Sequence, residues 1–209
     1  MMTWHSLTIS MGWLAVASGV VGTSYQLRRV RALGVEGVSL ATWVLFVYMG
    51  CFWITYGFAA HSVEIVLGSA LILPIQLSIL FRLAPWRRWA VPARALGYFI
   101  LCCVVPTVAW GWAGGVFGTG VAMTINRAPQ LIELVRHRDA SGVSATSWFV
   151  GAFGCSLWIL YYTGVHLWAA LTATAFAGLA NLAIALLATW RHSQARQSVI
   201  AREVFAPSM

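Results

Sequence analysis

Lysine is absent from this chain of 209 residues, and acids are nearly so, with five Asp and Glu in all. Only 9% of the residues are charged, against about 25% in an ordinary soluble domain. That scarcity excludes a water-solvated globular fold. The net charge of +8 therefore does not point to nucleic acid, because no soluble domain carries a basic face. Cysteine is also sparse. Cys51, Cys102, Cys103 and Cys155 all fall in apolar runs without zinc-type or thiol-redox spacing, and they read as small hydrophobes. No nucleophile–base pair, metal cluster or phosphate loop is evident, so no enzyme and no cofactor is expected. The first apolar run has no positive charge before it and Arg28, Arg29 and Arg31 after it, the reverse of a signal peptide.

What is abundant is hydrophobic residues, at 60%. They form continuous runs rather than alternating ten-residue segments, so helices are expected rather than a barrel. At about 20 apolar residues per crossing, seven spans are expected, at about 8–27, 39–59, 63–83, 95–112, 114–134, 145–165 and 167–190. All 13 basic residues are arginine, and they read as clustering between the runs rather than deep inside them. Arg28, Arg29 and Arg31 follow span 1; Arg82, Arg87, Arg88 and Arg94 follow span 3; Arg136 and Arg138 follow span 5; Arg191, Arg196 and Arg202 follow span 7. The other side offers His5, His61, Glu64 and His166. This asymmetry predicts an outside N-terminus and a cytoplasmic C-terminus, the expected setting being a bacterial inner (plasma) membrane.

The chain also repeats itself. Tyr25-Gln26-Leu27 returns as Pro129-Gln130-Leu131, Gly37-Val38-Ser39 as Gly142-Val143-Ser144, and Trp43 as Trp148. Trp53, Ile54, Tyr56 and His61 return as Trp158, Ile159, Tyr161 and His166. The offset is 104 residues at the first match and 105 afterwards. Two three-helix repeats, 8–83 and 114–190, are then joined by a linker helix, 95–112, and followed by a tail, 191–209. One extra helix restores the direction of the second unit, so the halves are parallel repeats.

Pro129-Gln130-Leu131-Ile132-Glu133-Leu134 with Ser141-Gly142-Val143-Ser144 resembles a PQ-loop motif, and Tyr25-Gln26 is its degenerate first copy. Three spans, a linker and three spans is similar to the SWEET sugar transporters, and each half resembles a SemiSWEET subunit, including Trp53, Tyr56 and Gly57. In the second half Tyr162 stands where that glycine would be. The resemblance implies an all-helical carrier, passive and working by alternating access, with a small polar solute, a sugar in the first place, as its partner. Pro129 and Gln130, with Tyr25 and Gln26, are the expected hinge, and Tyr56 and Tyr161 are gate candidates; Gly19 or Gly22 would supply flexibility where Tyr25 replaces proline.

The same resemblance places substrate-facing tryptophans at Trp53 and Trp158, whose indole faces can stack on a sugar ring. Where SemiSWEETs carry an asparagine sixteen residues later, this chain has Ser69 and Thr174. Trp53 and Ser69 lie equally far from His61, as do Trp158 and Thr174 from His166, so the four share a layer roughly 12 Å below the outer turn. Gln76 and Asn181 form a second polar layer about 10 Å deeper, and Asn126 is a further polar residue on span 5. Hydroxyls in place of amides predict a wider, less demanding pocket. Trp43, Trp148 and Trp168, near span ends, read as belt residues, and His61 and His166 as solvated turn residues. Glu133 and Asp139 read as surface groups paired with arginine. Two alternatives remain open: a proton-coupled amino-acid carrier of the PQ-loop type, with Glu64 or a histidine as the proton site, and a receptor that does not transport. An oligomer of identical chains is compatible with either.

Overall fold

A computed structural model describes residues 3–136 and 140–205; Arg138 and Asp139 lie outside it. Every element among the described residues is helical: α1 (Trp4–Leu33), α2 (Leu40–Ala59), α3 (Val63–Arg82), a 3-10 turn at Pro85–Arg88, α4 (Ala90–Phe99), a π-helical turn at Ile100–Val104, α5 (Val105–Ile125), α6 (Ala128–Arg136), α7 (Ala145–Gly164) and α8 (Trp168–Phe205). Serine caps set three of the starts. Ser39, Ser62 and Ser144 accept from the backbone N–H groups of Thr42, Ile65 and Ser147 at 3.1–3.3 Å. The turns after α2 and α7 close alike, with His61 (φ 51) and His166 (φ 58) in the left-handed region, both exposed as expected.

Among the described residues, five stretches are long and apolar enough to cross a membrane: Trp4–Leu33, Leu40–Ala59, Val63–Arg82, Ala90–Arg136 and Trp168–Gln197. Leu14, Phe58, Phe81, Val108 and Leu179 point outward from them, as suits a lipid solvent. α7 has the length but is less apolar, being rich in Ser, Thr, Trp and Tyr. The fourth stretch was expected as two spans meeting near residue 113. Its helical geometry breaks at Trp110 (φ −130, ψ 15) and Gly111 (φ 68, ψ −164). The two arms then lie antiparallel: Gly114 sits on the Pro106 carbonyl, Gly115 on Thr107 and Gly118 on the Cys102 carbonyl, while Thr119 Oγ1 donates to Cys103 Sγ at 3.4 Å. Glycine at each crossing lets the backbones approach without a Cβ between them.

A second break corrects the expected continuous span 114–134. α5 ends at Ile125 and α6 begins at Ala128, with Pro129 in its first turn. Proline there has no N–H to return to the Ile125 carbonyl, so the helix yields at Asn126–Arg127, upstream of the proline itself. In the first half Tyr25 takes that place and α1 runs unbroken from Trp4 to Leu33. Gly19 and Gly22 therefore act as packing positions rather than hinges, against Ile72 and Val150.

The halves meet along α1 and α7, which run antiparallel in constant register. Thr8 faces Gly164, Gly12 faces Tyr161 (2.9 Å from an ideal Cβ), Ser18 faces Gly154 and Gly22 faces Val150 (3.2 Å). Contact between α2 and α5–α6, which the repeat makes equivalent, is much slighter. At the positions of Gly151 and Gly154 on α7, α2 carries Phe46 and Met49. Their bulk keeps α2 away from α5 and α6.

Candidate functional site

Two buried apolar clusters stand at opposite ends of the bundle. Val30, Val38, Trp43, Leu134, Val143 and Trp148 pack at the arginine-rich end. Trp53, Tyr56, Ile65, Tyr161 and Tyr162 pack at the other. Between them lies a cavity of about 240 Å³. Trp53, Ser69, Gln76, Asn126, Trp158, Thr174 and Asn181, the seven residues expected around a solute, all line it. Residues of both expected polar layers thus line one chamber.

The upper part is built by the matched tryptophans. Trp158 crosses to the first half and lies over Gly68, whose ideal Cβ is 3.2 Å from the indole Cζ2. It stacks on Tyr162 and meets Tyr161 edge-on, as Trp53 meets Tyr56 edge-on. Tyr162, in place of a glycine, therefore supports the pocket wall. Glu64 is nearly buried in the first turn of α3, where its Oε2 accepts from Ser62 Oγ at 3.1 Å; Ser62 in turn shares a hydrogen bond with Tyr161 at 3.0 Å. Glu64 belongs to that network and not to the cavity wall.

The deeper part holds a residue that the arginine pattern passed over. Arg127 was read with the loops, yet it falls within the expected span 114–134 and is only 6% exposed. It lies one helical turn after Met123, which lines the same cavity. Its Nε donates to Asn181 Oδ1 at 2.5 Å, and its Nη1 to Asn126 Oδ1 at 3.0 Å and to the Met123 carbonyl. The guanidinium stands 5.5 Å from the centre of the Phe46 ring. A signal was available: Arg127 is the one Arg, Lys, Asp or Glu between Arg94 and Glu133.

Trp43 and Trp148 also correct their reading as belt residues. They are 4% and 6% exposed and line the cavity floor on either side of Phe46, with ring centres 5.4 and 6.0 Å from it. Trp168, 59% exposed, lies at the surface as a belt residue would.

Below that floor the paired glutamines bind the halves together. Gln26 donates to the Gly142 carbonyl at 2.8 Å and accepts from the Ser144 N–H at 2.8 Å. Gln130 donates to the Gly37 carbonyl at 2.7 Å and accepts from the Ser39 N–H at 2.9 Å. Each glutamine thus reads both backbone groups of the opposite half's Gly-Val-Ser turn, an amide matched to a peptide. The turns themselves touch, with Gly142 N donating to the Glu36 carbonyl at 3.1 Å, and a Cβ at Gly142 would lie 2.6 Å from the Gly34 carbonyl. Of the expected hinge and gate set, Gln26 and Gln130 form this clamp, Pro129 sets the break in the helix, and Tyr56 and Tyr161 pack in the opposite cluster. Tyr25 does none of these, being 43% exposed on the outer face of α1.

Comparison with protein-family models, curated proteins and solved structures finds no match for this chain. Its function has to be argued from the site.

Proposed function

We propose that this chain is an integral membrane carrier that moves a small polar solute down its gradient by alternating access, sugars being the class the SWEET-like motifs imply. In this reading the chain crosses the membrane seven times, as two parallel three-helix repeats and a linker: α1, α2, α3, the two arms that meet at Trp110–Gly111, α7 and α8. The arginine-rich end faces the cytoplasm of a bacterial cell, with the N-terminus outside.

One observation carries the proposal. A chamber of solute size lies between the two repeats, is lined by matched residues of both, and is bounded at each end by a packed layer of different chemistry. The paired glutamine clamps would be the inner gate and the tyrosine–tryptophan cluster the outer one. Rocking the repeats about the α1–α7 seam would open one layer while the other stays closed. Passive transport fits the place of Glu64, which is engaged outside the chamber.

Uptake by proteoliposomes, across a panel of sugars, amino acids and organic acids with and without a proton gradient, tests this directly. Equilibration of one solute class regardless of the gradient is expected. Accumulation driven by an inward proton gradient, lost in Glu64→Gln, would replace this reading with the proton-coupled one. Solute binding without any flux would replace it with a receptor.

A further inference from the structure

The chamber contains a cation and no anion. Arginine stays protonated under any condition a protein meets, so Arg127 brings a full positive charge to a buried position on the cavity wall. Such a charge normally pairs with a carboxylate when buried, because neutral dipoles replace only part of the lost hydration. Here Arg127 meets Asn181 Oδ1, Asn126 Oδ1, the Met123 carbonyl and the Phe46 face, with the Cys155 thiol nearby, and none of these is a carboxylate. Among the described residues, no Asp or Glu lines the cavity.

The unused hydrogen-bonding capacity points the same way. The Nη2 of Arg127 has two N–H groups that donate to no described residue. Because arginine only donates, it holds the Asn126 carbonyl oxygen toward itself and turns Nδ2 away, and that Nδ2 is buried without an acceptor. The Trp43 Nε1–H is buried without one as well, and Trp43 flanks the same Phe46 ring that covers Arg127. Buried donors are nearly always satisfied in native proteins, so two buried unfilled donors on residues that line the cavity, next to the open side of Arg127, mark the place of an acceptor. Gln76 Oε1, also lining the cavity, is buried and lacks a donor.

We infer that the solute is a small hydroxylated carboxylate, such as a sugar acid. Its carboxylate sits on the Arg127 Nη2, Asn126 Nδ2 and Trp43 Nε1 donors, and a hydroxyl donates to Gln76 Oε1. This rests on the reading of the chamber as a carrier's site and narrows the solute class. A carboxylate supplies both the missing charge and an oxygen acceptor for each donor, whereas a neutral sugar supplies no charge. The second half alone carries this feature, since Thr23 stands at the repeat position of Arg127 and Gly22 at that of Asn126. The solute would therefore bind with a fixed head-to-tail orientation across the pseudo-two-fold axis.

The test compares gluconate and glycerate with glucose and with chloride at equal ionic strength, on the purified full-length protein. Thermal unfolding reports binding, and proteoliposome uptake reports transport. At millimolar concentrations a hydroxy acid should raise the unfolding temperature while glucose and chloride do not. Arg127→Gln should weaken acid binding by about ten- to a hundredfold, the usual range for a charged hydrogen-bonding partner, and Arg127→Lys by less. If Arg127→Gln does not fold, Trp43→Phe keeps the ring and deletes one donor, and it should weaken acid binding without altering glucose. Equal stabilisation by chloride, no shift with either acid, or unchanged acid affinity in a folded Arg127→Gln or Trp43→Phe protein overturns the inference. Uptake of glucose but of neither acid overturns it and leaves the carrier intact. Acid binding that depends on Arg127 without uptake supports the acid site and removes the carrier.

Discussion

Gln26 and Gln130 each make two hydrogen bonds to the opposite half, and both bonds would break when the arginine-rich end opens. A net 0.5–1.5 kcal/mol for each bond is typical, so one glutamine biases the closed state by about 1–3 kcal/mol. Gln130→Ala should raise the open population about five- to 150-fold. Cys155 lines the chamber and serves as the reporter once Cys51, Cys102 and Cys103 are replaced. A thiol reagent applied from the arginine-rich side should label Cys155 faster in Gln130→Ala and in Gln26→Ala. Equal labelling rates would mean that the clamps do not gate. The structural asymmetry between the halves is also a residue-scale matter. Phe46 and Met49 on α2 take the repeat positions of Gly151 and Gly154 on α7, and Phe46 is the ring that covers Arg127.

Under the proposed mechanism, two elements decide how the repeats move. The α1–α7 seam depends on small residues along its whole length, so it holds register as a pivot does. Gly154→Leu would drive a side chain into Ser18, and overpacking of this kind typically costs about 1–3 kcal/mol. Its unfolding temperature should fall clearly, whereas Gly97→Ala on α4, where a Cβ meets nothing within 4 Å, should leave it unchanged or slightly higher. Similar values for the two variants would show that the seam is loosely packed. The second element is the break between α5 and α6. Pro129→Ala restores a donor for the Ile125 carbonyl and lets the two helices join. A joined helix would stiffen the hinge of the proposed carrier, so transport should slow while solute binding changes less. Unchanged kinetics in this variant would assign Pro129 a purely structural part.

At the scale of the molecule, the arginines define one end. Several do structural work there: Arg191 donates to the Leu134 and Val135 carbonyls at the end of α6, and Arg29 to the Ser141 carbonyl. Capping gathers these arginines at the end that the proposed orientation places in the cytoplasm. A C-terminal fusion to a reporter active only outside the cytoplasm should therefore be silent. Activity from that fusion would reverse the orientation and exchange the two gates.

Composition and periodicity were sufficient for the helical, membrane-suited class, because scarce charge and long apolar runs leave the backbone few alternatives in lipid. The repeat was legible too, since it rests on Trp, Tyr, His and Gly, which apolar helices do not share by chance. It placed Trp53, Ser69, Trp158, Thr174, Gln76 and Asn181 together, and they line one chamber. Other features depended on long-range packing. Trp43 and Trp148 sit at span ends in sequence, and only the crossing of α2 and α7 brings them under the cavity. Gln26 and Gln130 lie far in sequence from the turns they bind. The partners of Arg127 were also set by packing, since α8 brings Asn181 and α2 brings Phe46 to it, and a charge buried among apolar helices turns to the carbonyl oxygens and ring faces within reach.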